Sequence, residues 1–297
     1  MDPSASERPI VVGYDASDCA AIALEWAGNF AHALGSPVRV LHSAATLVRA
    51  QGLAYGQISA ATEQDYAEQI ATDGLRRLLA RHPDLSVDTS TSLLGPTLAL
   101  DEASASASFI VVGSHGRGRF GAVMLGSTAY AVSGHARCPV VVVRGEHAPL
   151  PDQDRPIVVG SDGSVGSERA VEAAAHLAAN CAAPLIVVTT WVPPAPDPWD
   201  RPPLGYSNVA ECLKDLHQQA EATNEAAIQR IRQTHPQLDV VGSVREIRPD
   251  DGLLQTSAQA SLIVLGSRGH GSLLGTILGS TARSVLHRTQ SPVMVVH

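Results

Sequence analysis

The sequence is poor in cysteine and almost free of lysine. Its four cysteines form no CxxC pair and no metal-ligand spacing, which argues against a zinc site or a disulfide framework and predicts reduced packing residues. Lys214 is the single lysine among 21 basic residues, whereas 29 acidic residues give a net charge of −8. Because the net charge is negative and the sequence contains no run of basic residues, nucleic acid is disfavoured as a partner.

Long apolar runs and common catalytic signatures are also missing. No stretch approaches the roughly 20 apolar residues that span a bilayer, and residues 1–9 carry no signal-peptide pattern. The chain has no GxxxxGK[ST] loop, no GxGxxG after its first strand, no HExxH and no evident Ser/His/Asp order. We therefore expect a cytoplasmic protein without membrane contact, with no catalytic residues and no metal site.

What the sequence does contain is one pattern that occurs twice. The hexapeptide Arg8–Gly13 is repeated letter for letter as Arg155–Gly160, 147 residues later, and His82-Pro recurs as His235-Pro, 153 residues later. The net gain of six residues falls in or near the proline-rich stretch Pro193–Pro203. Internal duplication explains this pattern and predicts two domains, residues 1–146 and 147–297.

Each half alternates short apolar strands with helical segments. This order predicts an α/β fold of two tandem doubly wound, Rossmann-like domains, each with a five-stranded parallel-type sheet and helices on both faces. In the first half the predicted strands are Ile10–Gly13, Val38–Leu41, Leu85–Ser92, Phe109–Val112 and Val140–Val143, and the predicted helices are Ala20–Leu34, Thr62–Arg81, Thr97–Ala107 and Gly126–Ala136.

A G-x2-G-x9-G-S motif follows the fourth strand of each half. Glycines between a strand and a helix let backbone N–H groups approach an anion closely, and the free N–H groups and dipole of the helix that follows favour phosphate. The motif residues, together with the hydroxyl residues that open the helix, are Gly113, Gly116, Gly126, Ser127 and Thr128 in the first half and Gly266, Gly269, Gly279, Ser280 and Thr281 in the second.

An aspartate follows the first strand of each half, as Gly13-Tyr-Asp15 and Gly160-Ser-Asp162. In a doubly wound sheet this strand end lies beside the glycine loop, so the carboxylate is placed to accept hydrogen bonds from nucleotide hydroxyls or the adenine edge. The alternative is that Asp15 and Asp162 cap the first helix of each half.

Charged side chains distinguish the two glycine loops. Arg117 and Arg119 lie within the first loop, whereas the second offers Arg268 and His270. We therefore expect the first half to bind a triphosphate more tightly. His115 is interpreted either as a donor to phosphate or, by preference, as a solvated loop histidine.

This arrangement resembles the tandem members of the universal stress protein family, in its ATP-binding branch, over residues 8–144 and 155–297. The resemblance implies that the motif residues contact ribose and phosphates of ATP, with or without Mg²⁺, and that Asp15 and Asp162 lie at the adenosine end. It also places His42 and Thr189 at the adenine pocket. Members commonly dimerise through the last strand, which implies a homodimer or an intramolecular pseudo-dimer.

The resulting expectation is a nucleotide-dependent regulator in a stress or growth-arrest response, with an unknown protein partner. Rapid catalysis is not expected, because the loops supply no evident general base or lysine for phosphoryl transfer. The alternatives are slow ATP hydrolysis, an adenylating ligase whose SGGxDS or HxGH loops the chain does not match, and a nucleotide-independent scaffold. Such a scaffold would recruit partners through a sheet edge at Val140–Val143 or Val293–Val296.

Overall fold

A computed structural model describes residues 8–44, 60–116, 125–145, 148–197, 201–257, 259–270 and 278–297. The first half alternates strands and helices in the predicted order. Its strands are β1 (Ile10–Gly13), β2 (Val38–Ser43), β3 (Val87–Ser92), β4 (Phe109–Gly113) and β5 (Val140–Val143), and its helices are α1 (Asp18–Leu34), α2 (Ala60–Arg81), α3 (Pro96–Ser104) and α4 (Ser127–His135).

The second half repeats this order element by element. Its strands are β6 (Ile157–Gly160), β7 (Leu185–Trp191), β8 (Val240–Glu246), β9 (Leu262–Gly266) and β10 (Val293–Val296), and its helices are α5 (Val165–Cys181), α6 (Val209–Thr234), α7 (Pro249–Ser257) and α8 (Ser280–Arg288). The described parts of the proline-rich stretch that precedes α6 contain no helix or strand.

All ten strands form one sheet in the order β3-β2-β1-β4-β5-β10-β9-β6-β7-β8. Within each half every neighbouring pair is parallel, and the strand order reverses between β1 and β4 and between β6 and β9. Right-handed strand–helix–strand connections produce this doubly wound topology. The α/β class predicted from the sequence is confirmed.

The two halves join through their last strands, which pair antiparallel. Val141 of β5 lies opposite Met294 of β10, and the pairs on either side of it are Val140 with Val295 and Val142 with Val293. This is the intramolecular pairing that the resemblance offered as one alternative. Because β5 and β10 are interior strands, the proposed scaffold edges at Val140–Val143 and Val293–Val296 are wrong. The outer strands are β3 and β8.

Helices cover both faces of the sheet. Alternate strand residues pack against α1, α2, α5 and α6 on one face, with Trp26 and Phe30 stacked 4.7 Å apart in this layer. The other residues of the same strands pack against α3, α4, α7 and α8. Strands covered on both faces have no solvated side, which explains why β5 and β10 read as unbroken apolar runs. Within the described ranges, no helix combines the length and apolar character needed to cross a membrane.

The helices that follow β1 and β6 begin alike but end differently. Ser17 and Ser164 are their N-caps, and each accepts a hydrogen bond from the backbone three residues on. α1 ends at Gly35 with φ of 64°, whereas α5 ends at Ala182 with φ of 52°. Ala182 therefore adopts a left-handed conformation that carries a steric cost for any residue with a Cβ atom.

This difference predicts opposite effects of exchanging the two residues. Ala182→Gly is expected to raise the free energy of unfolding by up to about 1 kcal/mol, and Gly35→Ala to lower it by about 1 kcal/mol. Denaturant unfolding followed by circular dichroism measures both. Ala179→Gly is the control, because this exposed residue lies within α5 and glycine there weakens the helix. Equal losses for Ala182→Gly and Ala179→Gly would contradict the interpretation.

Candidate functional site

The candidate sites lie where the strand order reverses. In each half the first and fourth strands are neighbours, and the loops that leave their carboxyl ends face one another across a crevice. Asp15 follows β1 and Gly116 lies in the loop after β4, and Asp162 and Gly269 hold the same positions in the second half. The structure therefore brings together the two motifs that the sequence places about a hundred residues apart.

The aspartate and the second glycine of the loop are in direct contact. A Cβ atom added at Gly116 would lie 2.7 Å from Oδ2 of Asp15, and one at Gly269 would lie 2.3 Å from Oδ2 of Asp162. In the second half the backbone N–H of His270 also donates to Oδ2 of Asp162, at 3.2 Å. The glycine is needed because the carboxylate occupies the space that a side chain would fill.

The aspartates do not cap the helices, so that alternative interpretation is wrong. The caps are Ser17 and Ser164, whose hydroxyl oxygens accept from the backbone N–H of Ala20 and Ser167. The aspartates instead stabilise the turn before each helix. Oδ1 of Asp15 accepts from the N–H of Ser17, and Oδ1 of Asp162 accepts from the N–H of Ser164, both at 3.0 Å. Each carboxylate thus holds a fixed position between strand, helix and glycine loop.

The Asp162 carboxylate is held in its ionised form. Burial alone would raise its pKa, but hydrogen bonds from Ser164, Ser167 and the His270 backbone together lower it further than burial raises it. The net result is a pKa below the usual range of an aspartate. The second site therefore presents a full negative charge and acceptor oxygens, which suits hydroxyl and amine donors.

The outer glycines of the motif have packing roles. A Cβ atom at Gly113 would lie 2.6 Å from the carbonyl oxygen of Cys19, and one at Gly266 would lie 2.7 Å from that of Gly166. These glycines allow the first turn of α1 or α5 to pack against the end of β4 or β9. At the other end of the loop, the N–H groups of Gly126 and Gly279 donate to the backbone carbonyl oxygens of Ser114 and Ser267, both at 2.8 Å.

Each glycine loop leads into a helix whose N-terminus has no side-chain cap. Gly126 and Gly279 are the N-cap residues, with Ser127 and Thr128 or Ser280 and Thr281 in the first turn. The first N–H groups of an α-helix have no partner within the helix, and the dipole there is positive. Both helices therefore present an anion-binding end at the crevice.

His115 is not a solvated loop residue, and that preferred interpretation is wrong. Its Nδ1 lies 3.0 Å from the hydroxyl of Ser114, and its Nε2 is buried. Burial and, second, the nearby charge of Arg144 lower the pKa of His115. The neutral imidazole lies in the first glycine loop. The predicted phosphate ligands Arg117 and Arg119 lie outside the described residues, whereas His270 is exposed at the second loop.

The ends of β2 and β7 form the other side of each crevice. Gly13 and Gly160 close β1 and β6 beside these strands. Nδ1 of the buried His42 lies 2.7 Å from the carbonyl oxygen of Tyr14, so Nδ1 carries the proton. The buried Thr189 accepts a hydrogen bond from the Asn224 amide at 3.1 Å.

Sequence reasoning missed two residues that support these strand ends. The Tyr14 hydroxyl donates to Asp73 of α2 at 2.9 Å, and burial together with this bond raises the pKa of Tyr14 to about 12. Asn224 of α6 also donates to the carbonyl oxygen of Val187 at 3.0 Å. Neither role has a local signal, because the partners lie 59 and 37 residues away.

The fold defines a tandem protein of two doubly wound domains, each with a crevice where the strand order reverses, and comparison with known proteins identifies the family. Residues 7–144 and 155–297 each match the universal stress protein family. A universal stress protein of Mycolicibacterium smegmatis is 31% identical over 307 residues, covering 100% of this chain and 99% of that protein. One from Mycobacterium tuberculosis is 30% identical over 300 residues, with 99% of each chain covered. The chain belongs to the universal stress protein family.

A solved structure of a family member shows the same fold. The crystal structure of a universal stress protein from Archaeoglobus fulgidus has a TM-score of 0.68 and 21% identity, and the match covers 97% of each chain. A universal stress protein solved in complex with cAMP is 29% identical and matches 49% of this chain and 99% of its own, with a TM-score of 0.38.

The hydrogen bonds to Asp162 predict a pH-dependent contribution to stability. Asp162→Asn is expected to lower the free energy of unfolding by about 1 kcal/mol at pH 7, a modest value because the carboxyl is partly exposed to solvent. A carboxyl with a lowered folded-state pKa contributes stability above its unfolded pKa, about 3.9, and loses it as pH falls below that value. The difference between wild type and variant should therefore be constant from pH 8 to 5 and shrink below about pH 4.

Urea unfolding at pH 7, 5 and 3.5 measures this difference. Asp239→Asn, at an exposed aspartate in the same half, is the control and should change stability little. An Asp162→Asn variant as stable as wild type at pH 7 would contradict the assigned role.

Proposed function

We propose that the protein binds one ATP, or a close adenine nucleotide, in each half and acts as a nucleotide-dependent regulator in a stress or growth-arrest response. One observation carries the proposal. In both halves the aspartate after the first strand meets the second glycine of the G-x2-G-x9-G loop at the point where the strand order reverses. Such points are where doubly wound sheets bind nucleotides.

The phosphate end of the proposed site is supported by backbone geometry. Ser127 and Ser280 open helices that have no side-chain cap, so N–H groups are directed toward the crevice. The N–H groups of Gly126 and Gly279 donate to the carbonyl oxygens of Ser114 and Ser267, which brings the two ends of each motif together. A triphosphate placed here would gain hydrogen bonds and a favourable interaction with the helix dipole without any lysine.

The adenosine end is supported by the fixed carboxylates. Backbone N–H groups hold Asp15 and Asp162 beside the crevice, and carboxylate oxygens are suited to accept hydrogen bonds from ribose hydroxyls. His42 and Thr189 at the adjacent strand ends are buried polar groups beside the place for the base. ATP is the proposed ligand, with or without Mg²⁺.

The test uses glycine variants that remove one site at a time. Gly116→Ala and Gly269→Ala place a methyl group against the carboxylates of Asp15 and Asp162, so each should abolish binding in its own half. We expect about two nucleotides per chain for wild type, one for each single variant and none for the double variant. Chromatography of nucleotides released on denaturation, together with calorimetric titration of ATP, measures the stoichiometry.

Gly95→Ala is the matched control for these substitutions. A Cβ atom added at Gly95 would meet no other atom within 4 Å, and the residue has an ordinary negative φ of −58°, so alanine fits there. This variant should bind two nucleotides. If purified wild type neither contains nor takes up an adenine nucleotide, the proposal is wrong.

The same single-site variants test the expected difference between the halves. Gly269→Ala leaves only the first site, and Gly116→Ala leaves only the second. We expect the first site to bind ATP more tightly, because the sequence of its glycine loop contains two arginines, Arg117 and Arg119. Equal ATP affinities in the two variants would overturn this expectation.

Turnover measured in the same samples separates regulation from catalysis. A regulator that is read out through nucleotide occupancy keeps ATP intact over the time of the binding experiment. Steady release of inorganic phosphate would favour the slow hydrolase, and release of pyrophosphate would favour an adenylating ligase. Both activities should be absent from the variant that carries Gly116→Ala and Gly269→Ala if they arise at these sites.

A further inference from the structure

We propose that Arg144 couples the two nucleotide sites, so that loading the first site weakens binding at the second. This inference rests on the function proposed above and adds a regulatory connection between its two sites. It depends on the position of one buried guanidinium group between the glycine loop of the first half and a helix of the second half.

Arg144 lies at the carboxyl end of β5, on the side of the sheet where the first site lies. It follows β5, whose last residue Val143 pairs with Gly113, and the N–H of Ser114 donates to Val143 at 3.0 Å. The positive charge of Arg144 helps to lower the pKa of His115 in the loop, after the larger effect of burial. A charge that acts on His115 also acts on phosphate bound by the same loop.

The same guanidinium contacts the second half. Nη1 of Arg144 donates to the carbonyl oxygen of Leu286, in the last turn of α8. The bond is buried, since Arg144 is 4% exposed. A cation beside the last carbonyl groups of a helix is stabilising, because it offsets the negative end of the dipole.

Helix α8 connects this contact to the second site. Because β5 and β10 are antiparallel, the strands of the two halves run in opposite directions. Their carboxyl ends therefore lie at opposite ends of the sheet, measured along the strands. The nine residues of α8 span about 13 Å between these two ends of the sheet. The helix begins at Gly279 and Ser280, at the proposed phosphate end of the second site. Its last turn contacts Arg144, which lies near the first site.

Binding at the first site changes the forces on Arg144. Phosphate at the first loop attracts the guanidinium toward His115 and away from Leu286, which weakens its hold on the C-terminal end of α8. The N-terminal end of α8 then presents a less firmly held anion site to the second nucleotide. Coupling therefore has a negative sign, and by linkage the second nucleotide weakens the first by the same factor.

Among the described residues, no side chain that follows β10 donates to α4 in the way that Arg144 donates to α8. His297 follows β10 as Arg144 follows β5, 153 residues earlier. Burial, the charge of Arg268 and the neighbouring His135 lower the pKa of His297, and its Nε2 makes no hydrogen bond to the described residues. His135 ends α4, the phosphate helix of the first site. The coupling thus passes through Arg144 and not through His297, the equivalent residue of the second half.

Calorimetric titration of ATP into the full chain tests the coupling. In wild type, the dissociation constant of the second site should be at least about fivefold higher when the first site is loaded than in Gly116→Ala, where the first site is empty. In Arg144→Met the two values should agree within about twofold. Arg144→Lys keeps the charge and one donor and should retain coupling, and it serves as the second variant if the methionine variant folds poorly.

Arg81→Met is the control, because Arg81 is an exposed arginine that pairs with Glu25 away from both loops. It should keep the wild-type coupling. Sites that bind independently in wild type, or coupling that persists in Arg144→Met, would overturn the inference while leaving the proposed function intact. Absence of ATP binding in both single-site variants and in wild type would instead overturn the proposed function and this inference with it.

Discussion

Val141 of β5 lies opposite Met294 of β10, and this antiparallel pairing turns two five-stranded sheets into one. Both strands are fully buried, so neither half of the molecule exposes the apolar edge that it would have alone. The pairing also places the carboxyl ends of the two sets of strands at opposite ends of the sheet, measured along the strands. As a result, the two crevices lie at opposite ends of the strands, and helices α4 and α8, which follow the two glycine motifs, each extend from one end toward the other.

The two crevices share one construction and differ in the side chains around it. In each half a carboxylate fixed by the backbone contacts a glycine loop, and a helix without a side-chain cap follows that loop. Beyond that frame, the first half has Tyr14 and His42 beside the crevice, whereas the second has Thr189 and Asn224. The frame is the basis of the proposed nucleotide binding, and the side chains around it are where the two halves differ.

Local sequence patterns predicted the elements well because their causes are local. Ser17 caps α1, Gly35 ends it, and the valine runs of β5 and β10 are strands covered on both faces. The prediction that each aspartate lies beside its glycine loop is also confirmed, since strand order in doubly wound folds is strongly constrained. The aspartates as caps were wrong because Ser17 and Ser164, two residues further on, occupy the cap positions. The strands β5 and β10 as edges were wrong because their pairing joins residues distant in the chain.

The sequence by itself determined the duplication, the α/β class and the residues that meet at each crevice, because periodicity, capping and glycine spacing act over a few residues. Only the tertiary structure decided that β5 pairs with β10, that Asn224 orients Thr189 and that Arg144 reaches Leu286. These contacts join residues 142 and 153 positions apart or lie between separate elements. Their partners are selected by the packing of the whole sheet, which leaves no pattern within a sequence window.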